Sequence, residues 1–175
     1  MNNLIVLLLL TFLIVSSCNQ KKKGSSPPSY NVDPEISMYV NSFIAKMNLA
    51  GINKSTQYLQ VTFTDSLPPG AVGVCQLTTI NDGVTKYKVP VIKFLKIYWE
   101  NLDDSEKEQI TYHELAHCIL GRDHSLQKDG GNNPLSIMYP SLIPGSAYRS
   151  QYGYFMSELF NTSTQEFSEM EFQPY

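Results

Sequence analysis

The sequence has almost no clustering of positive charge. Its 175 residues carry 13 Lys and Arg against 16 Asp and Glu, and the only basic run is Lys21-Lys22-Lys23. Without that run, 10 basic side chains face 16 acidic ones, a net of −6 that repels phosphates and excludes nucleic acid as a partner. No apolar run reaches the roughly 20 residues that a membrane-spanning helix needs. Three cysteines are too few for a disulfide scaffold. A Gly-rich phosphate loop, a paired-carboxylate site, a Ser-His-Asp arrangement and an internal repeat are all missing, so nucleophilic mechanisms have little to stand on. With 42% hydrophobic and 17% charged residues, what remains is one modest globular domain, not a disordered, collagen-like or coiled-coil chain.

The N-terminus does carry one apolar stretch. Residues 4–15 are apolar except for Thr11, a length that fits the hydrophobic region of a signal peptide. The following Val15-Ser16-Ser17-Cys18 resembles the lipobox of bacterial lipoproteins, in which small residues precede a lipidated cysteine. The leading Met1-Asn2-Asn3 departs from that pattern by lacking Lys and Arg. The resemblance implies a signal peptide over residues 1–17, a lipidated Cys18 and a polar tether up to residue 29, whose Pro, Ser and Lys content cannot build a core. Extended, residues 19–29 reach roughly 35–40 Å. A domain over residues 30–175 is thus expected at the bacterial cell envelope, held to a membrane by lipid on its periplasmic or surface face, or secreted if Cys18 is not lipidated.

Within that domain, Asp33-Pro34-Glu35 reads as an N-cap with Pro at the first helical position. Ile36, Val40, Phe43, Ile44 and Met47 recur at helical spacing until Gly51. Residues 58–65 alternate apolar and polar and predict a half-buried strand, closed by the Pro68-Pro69-Gly70 turn. A second strand is expected over 72–78, a turn at Asn81-Asp82-Gly83, and a third strand over 87–94 whose Pro90 argues for an edge or irregular position. Residues 95–100 are ambiguous between strand and helical turn. Ser105 with Glu108 reads as a capping box opening a helix that runs to Leu120 and stops at Gly121. Residues 121–147 read as a long functional loop, 148–160 as a final helix, and the tail after Asn161 is polar.

The chemistry sits on the capped helix. It reads His113-Glu114-Leu115-Ala116-His117, and all three histidines of the chain fall within residues 113–124. Positions i and i+4 share a helix face, so both imidazoles can reach one metal ion with Glu114 beside it. Imidazole suits zinc, catalytic zinc takes three protein ligands and keeps a place for water, and the adjacent carboxylate can take that water's proton. One catalytic zinc and metal-assisted hydrolysis follow. The competing reading is a buried histidine pair satisfied by hydrogen bonds.

The run HELAHCILGRDH, with Ser136-Ile137-Met138-Tyr139-Pro140 downstream, resembles the metzincin clan of zinc metallopeptidases, and in particular small metzincin-like lipoproteins of bacteria. The resemblance implies an α+β domain: a twisted, mostly parallel sheet with an edge strand, an active-site helix, a Met-turn and a C-terminal helix. It further implies His113 and His117 as zinc ligands, Glu114 as general base and Met138 as the Met-turn residue. The clan places Gly three and the third His six residues after the second His. Here Gly121 is four and His124 seven residues on, so one residue is inserted. Moving Gly and His together keeps the Gly-x-x-ligand turn and favours His124, because Gly121 suits a left-handed reversal. Strict counting instead puts Asp123 in the third-ligand slot.

Tyr139 follows Met138 directly, not at the two-residue spacing of an extra tyrosine ligand, and is not assigned to the metal. Cys118 points about 100° around the helix from His117. Outside the cytoplasm it can pair with Cys75, a matter that geometry decides. No cysteine stands between Cys18 and the first helix, so latency through a cysteine switch is not expected. The sequence thus points to a monomeric, zinc-dependent endopeptidase acting on peptide or protein substrates. Two alternatives remain: a tethered binding module with a structural zinc, and a zinc hydrolase of a non-peptide amide.

Overall fold

The computed structural model describes residues 29–81 and 85–161. The signal segment, Cys18, most of the expected turn at Asn81-Asp82-Gly83 and the tail beyond Asn161 lie outside the described residues. The architecture is α+β, with a mostly parallel open sheet of four strands in the order β1-β2-β4-β3. These are β1 (Asn31–Val32), β2 (Gln60–Thr64), β3 (Gly73–Asn81) and β4 (Lys86–Leu95). β1 and β4 run parallel to β2, and β3 runs antiparallel to β4.

The sheet has one strand that was not expected, and of the two positions expected for the Pro90 strand, edge or irregular, it does not take the edge. β1 was not legible, since two residues carry no alternation to read. The strand with Pro90 is not at the edge but lies between β2 and β3. Its ladder to β2 begins only at Val91, opposite Gln60, while Pro90 pairs across to Leu77 of β3. The N–H that proline lacks is therefore missing on a stretch with a strand on one side only, where it costs least.

Helix α1 (Ser37–Leu49) buries Tyr39, Val40, Phe43 and Met47. It starts later than the Asp33-Pro34 signal suggests. The Asp33 carboxylate accepts from the Glu35 N–H at 2.9 Å and its carbonyl accepts from Ile36 and Ser37, so residues 34–36 form a separate turn ahead of the helix. Residues 96–99 resolve as the short helix α2 (Lys96–Trp99), and Trp99 packs edge-on to Tyr39 and Phe63.

Helix α3 (Asp104–Leu115) is capped two residues earlier than expected. Asp103, in extended backbone, accepts from the Glu106 N–H and Glu106 reaches back to the Asp103 N–H, both at 2.9 Å. An aspartate with Glu three residues on is the same capping signal as Ser105-x-x-Glu108, and it comes first along the chain. The Ser105 hydroxyl is left to accept from Arg149 at 2.8 Å. The expected C-terminal helix is two, α4 (Gly145–Ser150) and α5 (Tyr152–Leu159), broken at Gln151.

Every residue from 109 to 120 is buried, so α3 and the turn after it run through the core instead of along the surface. Phe43 of α1 meets Tyr112 of α3 edge-on at 5.3 Å between ring centroids. Cys75 of β3 and Cys118 form a disulfide that ties the outer strand to this central helix. Closing a loop with a separation of 43 residues removes about 4 kcal/mol of unfolded-chain freedom in the chain-entropy account. No helix among the described residues is long and apolar enough to cross a membrane.

Candidate metal centre

His113 and His117 lie one turn apart on the buried helix, so their rings meet at 4.6 Å between centroids. After Leu115 the helix widens into a π turn over Ala116–Leu120, and Gly121 ends it in the left-handed region at φ 72°. The Arg122 N–H closes the reversal onto the Ala116 carbonyl at 3.1 Å. A π turn holds about one residue more than an α turn. That matches the single residue by which Gly121 and His124 stand later than in the metzincin pattern. The reversal brings His124 back, its centroid 5.1 Å from that of His113 and 4.8 Å from that of His117.

The ring nitrogens converge. His113 Nε2 is 2.9 Å from His117 Nε2 and 3.2 Å from His124 Nε2. The other nitrogens of the two helical histidines are committed to backbone. His113 Nδ1 lies 2.8 Å from the Ile137 carbonyl and His117 Nδ1 lies 2.5 Å from the Arg122 carbonyl. A carbonyl only accepts, so both Nδ1 atoms carry the proton and both Nε2 atoms present lone pairs to each other. Two acceptors at that separation repel unless a cation lies between their lone pairs, so the donor set fits a metal. One ligand atom from each of the three histidines can be chosen with all of them within 4.8 Å of one another. Burial holds all three imidazoles below their ordinary pKa: His113 well below, His117 down to about 4, and the half-buried His124 below as well. Neutral imidazole is the ligating form.

Glu114 is 2% exposed. Desolvation raises its pKa to about 8, against a hydrogen bond from the Cys75 backbone that lowers it. The space for its side chain is made by Gly73 of β3, where an added Cβ would stand 2.8 Å from Glu114 Oε1 and 3.0 Å from its Cγ. Gly73 was not singled out in the sequence, although a glycine inside a strand signals a close approach. Asp123 is exposed and outside the histidine cluster, but its charge raises the basicity of both His117 and His124.

Met138 is fully buried, in a turn tied to the histidines on two sides. Its N–H donates to Ser136 Oγ at 3.0 Å and its carbonyl accepts from the Ser125 N–H at 2.9 Å, next to His124. The preceding Ile137 supplies the carbonyl under His113. Tyr139 lies under the Lys128 ammonium, 5.1 Å from its ring centroid. Cys118, beside His117, is taken up by its disulfide to Cys75.

A buried helix that presents two histidines and a glutamate, with a third histidine returned by a glycine reversal, is the arrangement of a metallopeptidase. The family model described as "Putative phage metallopeptidase" matches residues 29–169, most of the chain, and the protein belongs to that family. Neither the curated proteins nor the solved structures contain a match to it.

Proposed function

We propose that the protein is a zinc endopeptidase of metzincin type, with His113, His117 and His124 as the ligands of one zinc ion, Glu114 as general base and Met138 as the Met-turn residue. The observation that carries this reading is the convergence of the three Nε2 atoms, two of them with the proton fixed on the far side of the ring. Three imidazoles are the protein donor set of catalytic zinc, which keeps a fourth position for water. Bound there, zinc supplies Lewis acidity, polarising a scissile carbonyl and bringing the pKa of a water down toward 7.

The chain's own groups do the rest. The Ile137 and Arg122 carbonyls fix the ring orientations of His113 and His117 and increase their basicity as ligands. The Glu114 carboxylate takes a proton from the attacking water and delivers it to the leaving nitrogen. Burial raises its pKa to about 8, which favours the protonated form, and a cation held by the histidines would favour the carboxylate that accepts the proton. A peptide substrate is favoured by β3. That strand is one edge of the sheet, its residues 76–79 are exposed, and its Gly73 lies against Glu114. An extended peptide laid along such an edge gains backbone hydrogen bonds next to the site. With Cys18 lipidated and residues 19–29 as tether, the enzyme works as a monomer at the bacterial cell envelope.

The test compares the full chain with Glu114→Gln for zinc content by elemental analysis and for cleavage of a peptide library. About one zinc per chain is expected in both, with cleavage reduced on the order of 10²–10⁴-fold in the variant. Undiminished cleavage by the variant removes Glu114 from the mechanism. Zinc without cleavage by the parent turns the protein into a tethered binding module, and cleavage confined to a cell-wall amide makes it a hydrolase of that bond.

A further inference from the structure

The two carbonyls that hold the histidine rings belong to separate segments, Arg122 just after the glycine reversal and Ile137 in the Met138 turn. One side chain from a third segment joins them. Glu158 stands in the last turn of α5, and its Oε1 accepts from the Arg122 guanidinium while its Oε2 accepts from the Ser136 hydroxyl at 3.0 Å. Ser136 Oγ accepts in turn from the Met138 N–H, so Ile137 is bracketed by a hydrogen-bonded pair that Glu158 anchors. From its other side Arg122 donates to the Glu158 and Leu159 carbonyls, both at 3.0 Å, which satisfies the end of α5. The Arg122 side chain is only 10% exposed and that of Glu158 22%, so neither is a surface charge at rest in water.

We propose that Glu158 is a positioning residue for the metal centre, fixing the Arg122 and Ser136 segments against each other and through their carbonyls the rings of His117 and His113. The inference rests on the zinc reading given above. Removing the carboxylate leaves the Arg122 guanidinium without its counter-ion and frees the Ser136 hydroxyl to rotate, so both carbonyls lose their common reference. Zinc then binds to rings that must be oriented at its own expense. Partners one step closer to a metal typically contribute 10–100-fold in affinity, so a loss of about ten-fold is expected here.

The experiment measures zinc affinity by competition with a chromophoric chelator for the purified full chain, Glu158→Ala, Glu158→Gln and Phe155→Leu. It adds the visible spectrum of each protein loaded with Co²⁺, whose band positions report ligand geometry, and the melting temperature of each metal-free protein. Phe155 is a buried residue of α5 stacked on Tyr148, and its substitution weakens the docking of the helix without touching Glu158. Glu158→Ala is expected to lose about ten-fold in zinc affinity with shifted Co²⁺ bands, Glu158→Gln, which keeps hydrogen bonding, to fall between, and Phe155→Leu to melt lower with zinc affinity and bands unchanged. Zinc affinity of Glu158→Ala equal to that of the parent overturns the inference, as does an equal loss in Phe155→Leu. A parent that binds no zinc overturns the zinc reading itself, and this inference with it.

Discussion

At the scale of single residues, the site depends on what is absent as much as on what is present. Gly73 has no side chain, and Glu114 occupies the space a methyl group would take. The nearest atom is the end of a flexible carboxylate, so Gly73→Ala is accommodated by displacing Glu114 rather than by opening the strand. A displacement on the scale of 1 Å costs about 100-fold in turnover, whereas zinc content stays at its parental level. Steady-state cleavage and elemental analysis of Gly73→Ala check both halves, and an active variant would mean that Glu114 does not need this notch. The histidines and Glu114 were legible in the sequence because their spacing is local. The groups that hold them were not. His113 meets Ile137 across 24 residues, and Ser136 meets Glu158 across 22. Nothing in either local pattern announces the partner, and a backbone carbonyl has no residue type by which to recognise it.

At the scale of elements, the periodic segments were readable and their ends less so. The apolar positions of α1 and the alternation in β2 follow from burial of one face, which leaves a period in the sequence. The start of α3 was misplaced because two overlapping capping boxes compete and only the backbone conformation at Asp103 decides between them. Asp103→Ala is therefore expected to lower the melting temperature by a few degrees, and Ser105→Ala to change it by less. Thermal unfolding followed by circular dichroism measures the pair, and the opposite order would restore Ser105 as the cap. The position of β4 inside the sheet was hidden for a related reason. Pro90 forbids one hydrogen bond, and the sequence does not say where the neighbouring ladder begins.

For the whole molecule, the core is rich in tyrosine. Tyr39 donates to Asp104 at 3.1 Å, and desolvation first, then that hydrogen bond, pushes its pKa up to about 12. Burial also raises Tyr112, Tyr148 and Tyr152. A phenol whose folded pKa lies above its unfolded value of 10.0 keeps its proton longer when folded, so its contribution is complete below pH 10 and is lost as pH rises toward 12. Urea midpoints should accordingly fall across that interval, with tyrosinate absorbance rising together with unfolding. Midpoints that stay flat from pH 10 to 12 would mean that these phenols ionise freely in the folded chain.

The π turn at Ala116–Leu120 has a consequence for how the protein can vary. A residue added to a regular helix rotates everything downstream by about 100° and carries a ligand off its face. Here the wide turn, followed at once by the left-handed Gly121, holds about one residue more than a regular turn before the chain reverses. The helical half of the metal centre and the half that returns are thereby decoupled in chain length while remaining joined in space. A change of length at this one point therefore falls between the two halves of the site and not within either of them.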